Sequence, residues 1–120
     1  MTDDLIFSPE TFRKFLDDIS DCQWFMLADA KTNGFCVTIA RKLHPELSKA
    51  NLIVIPDGES NKNIDSCEMI WNALWHHQAD RRAVLFNIGG GMICDTGGFA
   101  ASLYKRGIRF VHIPTTLLAM

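Results

Sequence analysis

The chain has 120 residues, 48% of them hydrophobic and 22% charged, with a formal net charge of −2. This length suits one domain with a real core, and the composition is that of an ordinary soluble protein. No basic block is present, so neither nucleic acid nor an anionic membrane surface is an expected partner. No apolar run approaches the roughly 20 residues of a membrane span.

The opening, MTDDLIFSPE, is acidic and has no signal-peptide pattern, which predicts a cytoplasmic protein. Ser8, Pro9 and Glu10 make a helix start: a hydroxyl at the cap, a proline at the first position and an acid in the first turn. Phe12, Phe15, Leu16 and Ile19 follow at helical spacing, as a packing stripe. Residues 23–28 (QWFMLA) read as a buried strand ending at Asp29. An acid there can be a solvated turn residue, cap the next element or bind a ribose hydroxyl. Residues 35–43 have helical periodicity and stop near His44 and Pro45.

Residues 51–55 (NLIVI) are a further strand, followed by the turn chemistry of Pro56, Asp57 and Gly58. Glu59 and Lys62 lie three apart. They are either a surface ion pair or a carboxylate and an ammonium facing a ligand. The spacing predicts a helix over 64–78, with Ile64, Cys67, Ile70, Trp71, Leu74 and Trp75 as its apolar stripe and both tryptophans in the core. His76 and His77 are adjacent, so on a helix they point different ways and form no metal-binding face.

Residues 83–88 form an apolar run of strand length. Gly89, Gly90 and Gly91 follow, then an amphipathic helix over 92–104 with its apolar residues at Met92, Ile93, Phe99, Ala100, Leu103 and Tyr104, and a second apolar run over 108–113. Strand, glycine turn, helix and strand make a parallel βαβ unit. Glycines let a ligand approach the backbone, and the helix behind them offers unpaired N–H groups to a phosphate. Gly89 and Gly91 fit the first two positions of G-x-G-x-x-G, but Cys94 stands at the third. The glycines alone fit equally a turn that only lets helix and strand pack.

Strands alternating with helices predict an α/β fold with a mostly parallel sheet flanked by helices. Ligands in such sheets sit beyond the carboxyl ends of strands. Asp29, residues 57–62, the glycine turn, and Thr115 and Thr116 all follow strands, so one shared site is expected. Cys22, Cys36, Cys67 and Cys94 are widely spaced with no C-x-x-C pair. Buried reduced thiols are expected rather than a zinc knuckle or disulfides. The ending, Thr115 to Met120, reads as the first turn of an apolar helix, which predicts a piece of a longer protein.

The blocks PDGESNK, IGGGMICDTGGFAASLYKRGIRF and IPTTLLAM, in this order and spacing from about Ile53 to Met120, resemble the N-terminal domain of 3-dehydroquinate synthases. The resemblance implies a Rossmann-like NAD-binding domain over 1–120 of a two-domain enzyme. That family converts 3-deoxy-arabino-heptulosonate 7-phosphate into 3-dehydroquinate and phosphate, with NAD used transiently and a divalent metal, zinc or cobalt. A secondary alcohol is oxidised, phosphate is eliminated, the ketone is reduced back, and an aldol step closes the carbocycle.

By the same resemblance, Asp57, Gly58, Glu59, Ser60, Asn61 and Lys62 line the NAD site, with Glu59 and Lys62 as polar contacts. Gly90, Gly91 and Met92 approach the pyrophosphate, and Ile93 and Cys94 continue that turn. Asp95 serves the nicotinamide half or its ribose, and Thr115 and Thr116 complete that side. Asp29 matches an acid for the adenine ribose, although Lys31 replaces an asparagine common in the family. Arg106 matches an arginine that reaches the substrate phosphate of the neighbouring subunit, which implies a homodimer. The family's metal ligands and catalytic lysines lie beyond Met120, so no metal site and no complete active site is expected in this chain, and it should be inactive alone. Two other readings are a sister sugar-phosphate cyclase of the inosose or valiolone synthase type and a non-catalytic nucleotide-binding module. A metal-dependent alcohol or glycerol dehydrogenase is disfavoured, because Gly98 stands where that family has a lysine.

Overall fold

The computed structural model describes residues 2–3, 9–57 and 64–114. Ser8, Gly58, Glu59, Ser60, Asn61, Lys62, Thr115, Thr116 and residues 117–120 lie outside the described residues. The elements run β1 (Thr2–Asp3), α1 (Pro9–Asp18), β2 (Trp24–Asp29), α2 (Phe35–Leu43), β3 (Asn51–Ile55), α3 (Ile64–His76), β4 (Val84–Gly89), α4 (Gly91–Leu103) and β5 (Arg109–Pro114). Short 3-10 turns at Pro45–Lys49 and Tyr104–Arg106 precede β3 and β5. The two-residue β1 and the Pro45–Lys49 turn have no counterpart in the sequence reading.

The five strands form one parallel sheet in the order β1-β5-β4-β2-β3. Side chains alternate along each strand. Trp24, Met26, Ala28, Phe86, Ile88 and Val111 bury against α1 and α2. Phe25, Leu27, Leu85 and Phe110 bury against α3 and α4. With helices on both faces, β2 and β4 are buried at every position, which is why they read as continuous apolar runs. Each fully buried Phe, Leu or Ile contributes about 1.5–3 kcal/mol relative to exposure. Connections moving towards β3 carry their helices, α1 and α2, on one face. Those moving towards β1 carry α3 and α4 on the other. All four crossovers therefore share one hand.

Two packing expectations are corrected. Trp75 is 69% exposed and only partly flanked, while Trp71 is half-buried and donates its indole N–H to the Ala100 carbonyl at 2.9 Å. The buried line of α3 is Cys67, Ile70 and Leu74. The helix stops at His76, two residues before the predicted end, where Gln78 takes a left-handed φ of 57° and Ala79 N–H closes on the Leu74 carbonyl. In α4, Phe99 and Leu103 face outwards, four residues apart, because the buried line is Ile93, Thr96, Gly97, Ala100 and Ala101. A bulkier residue could not take that line, since a Cβ on Gly97 would collide with the Asn87 amide oxygen and crowd Leu27. All four cysteines are free, with Cys22, Cys36 and Cys67 buried.

Candidate functional site

The sheet has its switch point between β2 and β4. The chain leaves β2 towards β3 through α2, and leaves β4 towards β5 through α4. Neighbouring loops diverge there and leave a crevice beyond the carboxyl ends of the strands, where open α/β sheets bind ligands. Asp29 ends β2 and Gly89 ends β4, each two residues beyond the Leu27–Asn87 pair.

Asp29 is not a solvated turn acid, since it is only 8% exposed. Its Oδ1 accepts from Lys31 N–H at 3.0 Å, from Thr32 N–H at 2.8 Å and from the Thr32 hydroxyl at 3.0 Å. Its own N–H lies 3.2 Å from Thr32 Oγ1, and its carbonyl accepts from Asn33 N–H at 2.9 Å. This is the local bonding that Asp offers a turn, and it replaces the ladder partners a strand end loses. Among the described residues, none donates to Oδ2. Thr32 Oγ1 also lies 3.5 Å from the Ile88 carbonyl, so it touches both sides of the crevice. The thiol of Cys36, one turn beyond Thr32, is pushed up in pKa by burial first and by the charge of Asp29 second.

The three glycines have different jobs. Gly89 has a φ of 152°, and a Cβ there would run into the Ile93 side chain. It is a packing glycine. Gly90 and Gly91 are exposed, and a Cβ on either would meet nothing within 4 Å. Packing within the chain does not require them to be glycine, so they leave an open cradle over the backbone. Gly90 is the N-cap of α4, and no side chain caps the helix. The first-turn N–H groups thus face the crevice with the positive end of a 13-residue helix dipole. A pyrophosphate fits that donor set. Cys94 N–H is already bonded to the Gly90 carbonyl, and the Ile93 side chain is in the core, so Ile93 can offer a ligand only its backbone. The Cys94 thiol leans back to 3.8 Å from the Gly89 carbonyl. The close helix–sheet approach expected of the third fingerprint glycine falls instead to Gly97.

Asp57 is exposed two residues past β3, the strand paired with β2, and so stands on the same rim. Met92 is half-buried in the first turn of α4. Asp95 is exposed, one turn into α4, beside an open hollow of about 390 Å³ that also touches Gly98, Phe99, Ser102 and His112. The structure does not bring Arg106 to this rim. Arg106 precedes β5, at the amino ends of the strands, about 20 Å away along the strand. Gly58, Glu59, Ser60, Asn61, Lys62, Thr115 and Thr116 lie outside the described residues. Among the described residues, no three His, Cys, Asp or Glu side chains gather as a metal site, and no helix is long and apolar enough to cross a membrane.

Sequence reasoning missed two groups. Thr32 was legible as the partner of Asp29 in a D-x-x-T turn. Asn87 was not, because it stands inside an apolar strand run. It is fully buried, its Nδ2 lies 3.2 Å from Nδ1 of His112, and its Oδ1 has no hydrogen-bond partner among the described residues.

A family model described as 3-dehydroquinate synthase N-terminal matches residues 52–120. A 3-dehydroquinate synthase of Parabacteroides distasonis is 42% identical over 105 residues, covering 88% of this chain and 30% of that protein. The chain thus spans about three tenths of the length of such relatives. A crystal structure of 2-deoxy-scyllo-inosose synthase superimposes with a TM-score of 0.77 at 23% identity, over 89% of this chain and 30% of that one, and shows the Rossmann-like fold. A 2-epi-5-epi-valiolone synthase from Streptomyces hygroscopicus, solved with NAD+ and Zn2+ bound, matches with a TM-score of 0.64 at 30% identity, over 78% of this chain and 26% of that one.

Proposed function

The chain belongs to the 3-dehydroquinate synthase family, and from that premise we propose that it is the NAD-binding part of a 3-dehydroquinate synthase acting in aromatic biosynthesis through the shikimate pathway. The whole protein converts 3-deoxy-arabino-heptulosonate 7-phosphate into 3-dehydroquinate and phosphate. The observation that carries this reading is the open Gly90–Gly91 cradle at an uncapped helix N-terminus, facing the buried Asp29 across the switch point. It supports a dinucleotide, with pyrophosphate on the α4 turn and a ribose hydroxyl on Asp29. NAD bound there supplies a transient hydride acceptor for oxidation of a substrate alcohol.

The residues of this chain bind and orient. Gly90, Gly91 and Met92 hold the pyrophosphate by backbone N–H groups, and Ile93 adds a backbone contact. Asp29 fixes the adenine ribose. Asp57, with Gly58, Glu59, Ser60, Asn61 and Lys62, closes the rim beside it, while Asp95, Thr115 and Thr116 flank the nicotinamide half. Arg106, turned away from its own crevice, serves a neighbouring subunit of a homodimer. A divalent metal, zinc or cobalt, is held by residues outside this chain. On this reading residues 1–120 alone release no phosphate, and the protein works in the cytoplasm.

The test supplies the full gene product with 3-deoxy-arabino-heptulosonate 7-phosphate, NAD and zinc, and follows phosphate and 3-dehydroquinate together. Both products should appear at equal rates and both should stop on adding a chelator. Turnover of a different sugar phosphate instead, with none of this one, would overturn the assignment in favour of a sister cyclase.

A further inference from the structure

The cluster at the end of β2 has an unusual division of labour. Three donors converge on one oxygen of Asp29: Lys31 N–H, Thr32 N–H and the Thr32 hydroxyl. Two of the three belong to Thr32, which is half-buried. The same hydroxyl lies 3.5 Å from the carbonyl of Ile88, the residue before the glycine turn. Thr32 therefore bonds the end of β2 and reaches the β4 side of the crevice with the same atom.

We infer that Thr32 is a positioning residue that sets the affinity for the ribose half of the dinucleotide, by locking Oδ1 of the Asp29 carboxylate and leaving Oδ2 for the ligand. The inference rests on the NAD reading above. A carboxylate on an exposed turn rotates freely about its Cβ–Cγ bond, and its two oxygens exchange. Here Oδ1 is held by charge-assisted bonds, so the ligand meets an acceptor already oriented and loses less freedom on binding. The hydroxyl has one proton. At 3.0 Å the carboxylate takes it in preference to the Ile88 carbonyl at 3.5 Å, and the Asp29 N–H, 3.2 Å from the same oxygen, keeps the threonine rotamer in place. Nothing in this role touches the reacting atoms, so affinity should change and the chemical step should not.

The experiment uses the full gene product in four forms: wild type, Thr32→Val, Thr32→Ser and Asp29→Ala. NAD and ADP-ribose are titrated by calorimetry, and KM for NAD and kcat are measured separately. Thr32→Val keeps the shape and the backbone N–H but removes the hydroxyl. It should weaken both ligands about tenfold, the scale of one charge-assisted bond, with kcat at saturating NAD unchanged. Thr32→Ser restores the hydroxyl and should bind as wild type does. Adding Thr32→Val to Asp29→Ala should cost nothing further, because the carboxylate it positions is gone. Equal affinity in wild type and Thr32→Val would overturn this inference alone. So would a Ser variant as weak as the Val variant, or additive losses with Asp29→Ala. A wild-type protein that binds neither NAD nor ADP-ribose would overturn both this inference and the NAD reading.

Discussion

Glycines 90 and 97 look alike in the sequence, and their surroundings make them opposites. Gly97 lies in the buried line of α4, where an added Cβ meets Asn87 and Leu27. Gly97→Ala should destabilise the fold by about 1–3 kcal/mol, as overpacking does, and a urea titration reads this as a lower midpoint. Gly90 is an N-cap with φ −87° and ψ −163° and open space around it. Gly90→Asp should therefore leave stability unchanged or raise it by about a few tenths of a kcal/mol, since Asp is a better N-cap than Gly. The same change sets a carboxylate where a pyrophosphate would bind, so NAD affinity should fall by about tenfold or more. A Gly90→Asp protein that binds NAD as wild type does would place the pyrophosphate elsewhere.

At the scale of elements, the helices carry information that strands do not. β2, β4 and β5 shift by only one residue from their predicted places, β3 matches, and β1 was not predicted. Apolar runs mark β2 and β4 plainly because both faces are covered. The helices were placed well, but their faces were misjudged at Trp75, Phe99 and Leu103. Hydrophobicity says that a side chain would gain by burial, and only the neighbouring element decides whether there is a surface to bury it against. The junction of α1, α2 and the Pro45–Lys49 turn gives a further test. His44 packs its ring 4.5 Å from that of Phe12, with Nδ1 buried and unpartnered among the described residues. Burial holds its pKa below the usual histidine value. Arg13 adds to that, Glu46 opposes it, and Arg13 and Glu46 are themselves paired at 2.9 Å. A histidine lowered in the folded state binds fewer protons than in the unfolded state. Its contribution is therefore intact above the ordinary pKa near 6.5 and is lost as pH falls from there through the folded value. Thermal unfolding midpoints should drop between pH 7 and pH 5, and His44→Asn should flatten that drop. An unchanged slope in the variant would assign the pH dependence to other groups.

For the whole molecule, the decisive feature is that the two ends of the sheet do different things. Asp29, Asp57 and the glycine turn share the carboxyl rim, while Arg106 stands at the amino end in a strained turn, with Lys105 and Arg106 at φ 46° and 70°. Side chains rarely hold that conformation without local support. The Lys105 ammonium lies 5.5 Å from the ring of the exposed Trp75. If Arg106 serves a neighbouring subunit, complementation should reveal it. Assayed at NAD well below the wild-type KM, Arg106→Ala and Gly90→Asp forms of the full gene product should each be strongly impaired, and co-refolding them should restore a fraction of wild-type turnover, because one mixed site keeps both wild-type residues. Activity no greater than the sum of the separate variants would confine Arg106 to its own subunit.

The order of elements, the parallel α/β class, the glycine turn and the family were legible in the sequence, because each rests on local chemistry: apolar runs for strands, helical spacing, turn residues, and motifs of fixed spacing. The sequence also put Asp29, Asp57 and the glycines after strands, and so on one rim. The tertiary structure alone decided the rest. It ordered the strands so that β2 and β4 are neighbours, which makes a crevice between Asp29 and Gly89. It buried Asp29 and committed one oxygen to Thr32, separated a packing glycine from two open ones, and sent Arg106 to the opposite end. These outcomes depend on contacts between residues far apart in the chain, and no local pattern encodes which surface a side chain will meet.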